Sequence, residues 1–264
     1  MARLRIATAQ FPVGRGIERN LKYMVELTGE AKRKKGDVVH FSETCLGGYA
    51  GSEFRSWEGY DWKLLADAEQ SLLQLSKKLR IGIVYGTNRK VSGTDVRNSL
   101  VYINAGKRVA HYDKRFCTGG DLKFYNSGKR FVTFELKGFK CGLLICYDVR
   151  FPELYRKYKK RKTHVVFQSF YNARAKKANI HTTIMRPSLQ TRAATNYLYI
   201  SANNSSGYYQ SWPSIFVLPD GTIAQSCRQH RTGLILNEIR SKAKFYDASG
   251  SNRDRAMAGV LYSE

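Results

Sequence analysis

Short apolar runs bounded by turn residues alternate along this chain with longer stretches whose apolar residues recur at helical spacing. Runs of strand length build a buried sheet and helical-period stretches cover it, so the pattern calls for layered α/β architecture rather than a helical bundle or an all-strand sandwich. Strands are expected over residues 4–9, 37–41, 81–87, 99–104, 141–146, 164–168, 197–202 and 214–218, where β-branched or aromatic residues concentrate. Residues 20–34 set Leu21, Met24, Val25, Leu27 and Ala31 on one face, and residues 67–79 do the same with Leu72, Leu73, Leu75 and Leu79. Both read as amphipathic helices lying on a sheet. Hairpins are signalled at Asn104-Ala105-Gly106-Lys107, leading into a strand over 108–112, and at Pro219-Asp220-Gly221, leading into 222–225. Antiparallel pairs of this kind make the sheets mixed. No repeat, low-complexity linker or composition break divides the chain, so 1–264 is expected to form one domain. Residues 241–264 are poorer in periodicity and read as an extension that packs on a partner subunit.

A chain of 264 residues buries about three quarters of the surface its unfolded form exposes, so it needs no disulfide or metal as a staple. The five cysteines, Cys45, Cys117, Cys141, Cys146 and Cys227, include no C-x-x-C pair and are expected to be reduced, in the cytoplasm. The five histidines, His40, His111, His164, His181 and His230, show no ligand spacing, so no metal is expected. Charges interrupt every apolar run well short of the roughly 18 residues of a membrane helix, and the first residues lack the apolar core of a secretory signal. No dinucleotide fingerprint or G-x-S-x-G elbow occurs, and Ser127-Gly128-Lys129-Arg130 lacks the upstream glycine of a phosphate loop.

The segment richest in chemistry runs from Cys141 to Tyr155. An unbroken apolar run ends at Cys146, a short polar turn follows, and Pro152 with Glu153 stands where a helix begins. A cysteine at such a strand-turn-helix elbow projects toward the exposed N–H groups of the turn, a setting that stabilises a thiolate and presents it to a substrate. A thiol nucleophile needs a base, and an acyl-transfer intermediate needs a positive group near its oxyanion. Two other strand ends supply candidates. Glu43 follows Val38-Val39-His40-Phe41-Ser42 and opens a loop bearing Gly47-Gly48-Tyr49, and Lys114 follows Val109-Ala110-His111-Tyr112-Asp113.

Together these segments resemble the nitrilase superfamily of carbon–nitrogen hydrolases, whose members carry a Glu-Lys-Cys triad on three strand ends. Ala9-Gln10, Asn20-Leu21 and Phe41-Ser42-Glu43 with Gly48-Tyr49 are similar to the family's opening strand, first helix and base strand. Tyr112-Asp113-Lys114 resembles its lysine motif, and Cys146-Tyr147-Asp148-Val149-Arg150-Phe151-Pro152-Glu153 its nucleophile motif, the most specific of the set. Arg192-Ala193 with Asn196, Ala202-Asn203, Pro219-Asp220-Gly221 and the ending from Phe245 to Gly259 resemble later landmarks. The resemblance implies a four-layer αββα sandwich with two mixed sheets, a homodimer formed through the elbow helices or a higher homo-oligomer, and cleavage of a small amide without metal or organic cofactor. It assigns Glu43 as base, Lys114 as the cation at the oxyanion, Cys146 as nucleophile and the backbone N–H of Tyr147 as an oxyanion donor. A true nitrilase or an N-carbamoyl hydrolase would use the same side chains, and a catalytically impaired relative is a further alternative.

Several positions depart from the family pattern. Where the family often has a second glutamate, counted back from Gly128, this chain has Asp121, one methylene shorter; Ser42, Thr182 and Thr195 replace a usual proline, tryptophan and acid. Phe170, Tyr171 and Asn172, after the elbow helix and its following strand, are the candidates for the substrate-pocket wall. Lysine and arginine number 45 against 21 acids, a net charge of +24. They cluster at 32–35, at 156–162, and at Arg174, Lys176 and Lys177. Such patches with nearby tyrosines fit a nucleic-acid-binding protein, the alternative from another class, but Tyr155 and Tyr158 keep helical spacing toward a core and leave the lysines as a solvated face, the favoured reading.

Overall fold

The computed structural model describes residues 1–172 and 180–262. The chain runs β1 (Arg3–Gln10), α1 (Ile17–Arg33), β2 (Val38–His40), α2 (Trp62–Leu79), β3 (Gly82–Ser92), β4 (Asp95–Asn104), β5 (Lys107–Asp113), β6 (Thr133–Leu136), β7 (Phe139–Ile145), α3 (Pro152–Lys160), β8 (Val165–Ser169), α4 (Ile180–Asn196), β9 (Tyr199–Asn203), β10 (Ile215–Val217), β11 (Ile223–Ser226), β12 (Gly233–Arg240) and α5 (Asn252–Met257). One six-stranded sheet has the order β12-β1-β2-β3-β4-β5 and the other β11-β10-β9-β8-β7-β6. Each has three parallel strands at its centre, β1-β2-β3 and β7-β8-β9, flanked by antiparallel partners. Both sheets are mixed, as the hairpin signals require.

Strand periodicity sorts the core into layers. In β1, Leu4 and Ile6 join the apolar cluster shared with the second sheet, while Ala7 and Ala9 join the cluster under α1 and α2. Val38 and Val39 divide in the same way. On the second sheet, Leu154, Tyr155 and Tyr158 of α3 and Met185, Leu189 and Ala193 of α4 cover the outer face. Helices, two facing sheets and helices again give the αββα sandwich. Asn104-Ala105-Gly106-Lys107 forms the expected hairpin, with Ala105 and Gly106 both at positive φ (49° and 78°), the geometry of a two-residue turn whose twist matches its strands.

Four elements were not expected from periodicity. β6 is four residues long, joined to β7 through Lys137-Gly138. β12 is an edge strand that is partly exposed along most of its length, so it shows little alternation, and it pairs with β1 from the far end of the sequence. α4 carries Pro187 in its interior, and α5 spans six residues. Among the described basic clusters, Lys32, Arg33, Lys34 and Lys35 are exposed, and Tyr155 and Tyr158 of α3 are buried. Arg174, Lys176 and Lys177 lie outside the described residues. The described part of the C-terminal stretch lies against its own chain, where Phe245 N donates to Tyr197 Oη at 3.0 Å and Arg253 pairs with both oxygens of Asp247. Among the described residues, no helix is long and apolar enough to cross a membrane.

Candidate active site

The carboxyl ends of the parallel strands, where open α/β sheets present ligand sites, bring the candidate residues together. β7 ends at Ile145, and Cys146 opens a 3-10 turn (Cys146–Arg150) rather than closing the strand as the apolar run suggested. Its φ of +40° lies in the left-handed region, which costs a residue with a Cβ on the order of 1–3 kcal/mol and persists only where neighbours hold it. The neighbour here is Asp148, fully buried. Its Oδ2 accepts from Tyr112 Oη at 2.7 Å and Ile145 N at 3.0 Å, and its Oδ1 accepts from Phe116 N at 3.1 Å. The carboxylate thus ties the elbow to the end of β5 and to the segment after Lys114. Pro152 then starts α3 at the helix position where its missing N–H costs nothing.

Burial pushes the Asp148 carboxyl up to about 6 despite those three donors. A carboxyl raised in the folded state binds its proton more tightly than in the unfolded chain. Its stabilising contribution is therefore full below the unfolded value near 4 and is lost as pH rises through 6. Asp148→Asn should flatten the pH dependence of unfolding free energy between about pH 4 and 6 by up to about 3 kcal/mol. Denaturant melts of both proteins across that range check this, and an unchanged slope contradicts it.

Glu43 stands three residues past the end of β2, fully buried. Its Oε1 accepts from Lys114 Nζ at 2.8 Å and Asn98 Nδ2 at 2.7 Å, and its Oε2 accepts from the backbone N–H of Tyr171 at 2.8 Å. Its own N–H donates to Phe170 O at 3.3 Å. Thr44, directly after it, also has a left-handed φ of 46°. Lys114, 1% exposed, follows β5 and donates its N–H to Asn98 O at 2.9 Å. Its ammonium lies between Glu43 and Asp121, with Asp121 Oδ2 at 2.9 Å. The shorter aspartate side chain therefore reaches the lysine. Asp121 is held in turn by Thr118 N at 2.8 Å and by the hydroxyl of Tyr49.

One cation between two buried carboxylates separates their behaviour. Burial raises the Glu43 carboxyl, outweighing Lys114, with Asp121 adding to the rise. Burial acts on Asp121 as well, but Lys114, the Tyr49 hydroxyl and the Thr118 N–H together hold it below its usual range. Lys114 is pushed well up: burial opposes its charge, and Glu43, Tyr49, Cys146 and Asp121 overcome that. The Cys146 thiol is pushed up by burial first and then by the Glu43 carboxylate, against the pull of Lys114. This differs from the thiolate-stabilising setting expected of an elbow, because the sulfur is buried and the Glu43 and Asp121 carboxylates add to the effect of burial. At rest the arrangement holds a neutral thiol beside a carboxylate that readily takes its proton.

Glu43, Lys114, Cys146 and Asp121 thus meet in one cluster. Tyr147 follows Cys146 within the turn, its ring edge-on to Phe151. Of the pocket-wall candidates, Tyr171 stacks on Tyr49 with ring centres 4.8 Å apart, and Asn172 is buried with its N–H donating to Asn204 Oδ1 at 3.0 Å. The ring of Phe170 is fully buried edge-on to Trp212, so its carbonyl is what meets Glu43. Two participants escaped sequence reasoning. Asn98 sits between Arg97 and Ser99 in the polar first half of β4, so nothing in the sequence marks it out, and Tyr49 was legible only as a landmark, its bond to Asp121 joining segments distant in sequence. Among the described residues, no group of three His, Cys, Asp or Glu side chains is disposed to hold a metal.

Residues 5–245 match the carbon–nitrogen hydrolase family. The chain is 25% identical over 248 residues to the omega-amidase NIT2 of Xenopus tropicalis, covering 88% of this chain and 87% of that protein. It is 27% identical over 205 residues to the 2-oxoglutaramate amidase of Bacillus subtilis, covering 76% of each. A solved nitrilase-superfamily amidase from Nesterenkonia AN1 superposes with a TM-score of 0.82 over 98% of each chain at 18% identity, a likeness of fold. With a family match that spans both sheets and every residue of the cluster just described, the chain belongs to the carbon–nitrogen hydrolase family.

Proposed function

We propose that this protein hydrolyses the carbon–nitrogen bond of a small carboxamide, with Cys146 as nucleophile, Glu43 as general base and acid, and Lys114 as oxyanion stabiliser. The observation that carries the reading is the buried ammonium of Lys114 held at 2.8 and 2.9 Å by two carboxylates whose environments push them in opposite directions. Separation of that kind assigns roles: Glu43 is the group that exchanges protons, and Asp121 is the fixed counter-anion that keeps Lys114 charged. As Sγ bonds to the amide carbon, its proton passes to Glu43, and negative charge develops on the carbonyl oxygen beside Lys114 Nζ and the N–H of Tyr147. The tetrahedral species collapses by breaking the C–N bond, with Glu43 returning the proton to the departing nitrogen, which leaves as ammonia. Glu43 next takes a proton from water as the hydroxide adds to the thioester. The C–S bond breaks, and the sulfur is reprotonated as the acid departs.

The names of the relatives, an omega-amidase and a 2-oxoglutaramate amidase, support a carboxamide substrate. The reading includes a homodimer in the cytoplasm, with a small-molecule substrate and no organic cofactor. A panel of amides, nitriles and carbamoyl compounds tests it: amides are expected to release ammonia and to leave an acyl adduct on Cys146 by mass spectrometry. Iodoacetamide should label Cys146 ahead of Cys45 and Cys227, whose thiols burial pushes up to about 12 without a carboxylate base against them. No acylation by any compound, together with labelling of Cys146 no faster than of those two, defeats the reading.

A further inference from the structure

β2 is fully buried, yet its last residue is His40, and both ring nitrogens meet hydroxyls on the opposite sheet. Nδ1 lies 2.8 Å from Ser201 Oγ, and Nε2 lies 2.8 Å from Ser169 Oγ. The neighbours decide where the protons sit. Ser169 donates its hydroxyl hydrogen to Phe41 O at 2.8 Å, so it accepts from the ring, and Nε2 carries the imidazole proton. Nδ1 is then an acceptor for Ser201, whose oxygen, 2.8 Å from Thr8 Oγ1, accepts from that hydroxyl. The hydrogen bonds run one way, from Thr8 to Ser201 to His40 to Ser169 to the carbonyl of Phe41, crossing between the sheets and back. Burial keeps the ring neutral, with its pKa lowered to about 3.

The far end of this chain abuts the candidate base. Phe41 lies two residues before Glu43, and Ser169 directly precedes Phe170 and Tyr171, whose carbonyl and N–H take Glu43 N at 3.3 Å and Oε2 at 2.8 Å. Apolar contact between two sheets resists their separation but is indifferent to small slides, whereas directional hydrogen bonds resist both. We propose that His40 is a positioning residue: by locking β2 against β8 it keeps the Glu43 carboxylate on the N–H of Tyr171. The effect on turnover rests on the amidase reading; the lock itself does not.

His40→Phe keeps a planar ring, which already packs edge-on to Phe167, and deletes both bonds. Ser169→Ala cuts the same link with the imidazole left in place and serves if the first variant fails to fold. Both are expected to lower kcat about tenfold or more with KM within about twofold, the size of a charge-assisted hydrogen bond lost at one group. The acid limb of kcat/KM should also move to higher pH, because the lost N–H favoured ionised Glu43. Lys114, Asp121, Cys146, Tyr49, Tyr125 and Tyr171 face the same carboxylate and are unchanged in both variants. Alkylation of Cys146 by iodoacetamide across pH reads the same limb without substrate, and histidine ¹⁵N spectra of the unmodified chain should show the Nε2–H tautomer for His40. Folded variants with unchanged acid limbs in both assays, or an Nδ1–H tautomer, overturn the proposal. A shifted alkylation limb in a protein that hydrolyses no amide supports the lock while the amidase reading fails.

Discussion

Lys114→Met is expected to lower kcat for amide hydrolysis at least a hundredfold and to lower the stability of the fold at the same time. The rate effect follows from removing the cation beside the developing oxyanion, a loss of about 10²–10³ for one electrostatic donor in a dry site. The stability effect has a separate origin. Without the ammonium, Glu43 and Asp121 remain buried with no cation between them, and breaking a buried pair in this way costs about 3–5 kcal/mol. For a chain of this length that lowers the melting temperature by on the order of 10 °C. Adding Asp121→Asn to the variant removes one stranded charge, so the double variant should recover part of the melting temperature and none of the rate. Ammonia release and a thermal melt on the two proteins separate the effects. A single variant that melts like the parent, with activity within tenfold, shows that the lysine is neither paired nor catalytic.

Gly86→Ala should produce a loss of comparable size from a residue forty-three positions away from the base in sequence. Gly86 lies in β3, and a Cβ there would stand 2.2 Å from Thr44 N, 2.5 Å from Ser42 O and 2.7 Å from the carbonyl carbon of Glu43. These are backbone atoms and cannot rotate aside, so the segment carrying Glu43 has to move. Overpacking of this kind costs about 1–3 kcal/mol. An ångström of displacement at a catalytic group costs about a hundredfold in rate, and that is the expected fall in kcat for a protein that still folds. Gly233→Ala is the control, since a Cβ there meets nothing within 4 Å; it should leave stability within about 0.5 kcal/mol and rate unchanged. Equal kinetics for the two variants would mean that the Glu43 segment tolerates a shift the geometry says it cannot.

The strand ends of Glu43 and Cys146 were readable because each follows a buried strand, whereas Lys114 follows the largely exposed β5 and stood out only as a charge at a strand end. Single-sequence patterning reports such boundaries well when the strand is buried on both faces, as β2, β7 and β8 are. The same logic failed for β12, whose mostly half-exposed residues blur alternation, and for α4, where Pro187 interrupts the helical signal. The sense of the thiol's perturbation also escaped the sequence. An elbow viewed alone points to a stabilised thiolate, and burial first, then the Glu43 and Asp121 carboxylates brought in from other segments, reverse it. Asp121 itself was recognisable by register, but its reach to Lys114 depends on a short 3-10 turn and on the Thr118 N–H, neither of which one-dimensional spacing encodes.

β1, the first strand of the chain, has β12 on one side and β2 on the other. A polypeptide emerging from the ribosome can thus make β1 through β11 and still lack the strand that flanks β1 on the side away from β2. Completion of that sheet waits for residue 240, so β1 presents an unpaired strand edge until nearly all of these residues have been made.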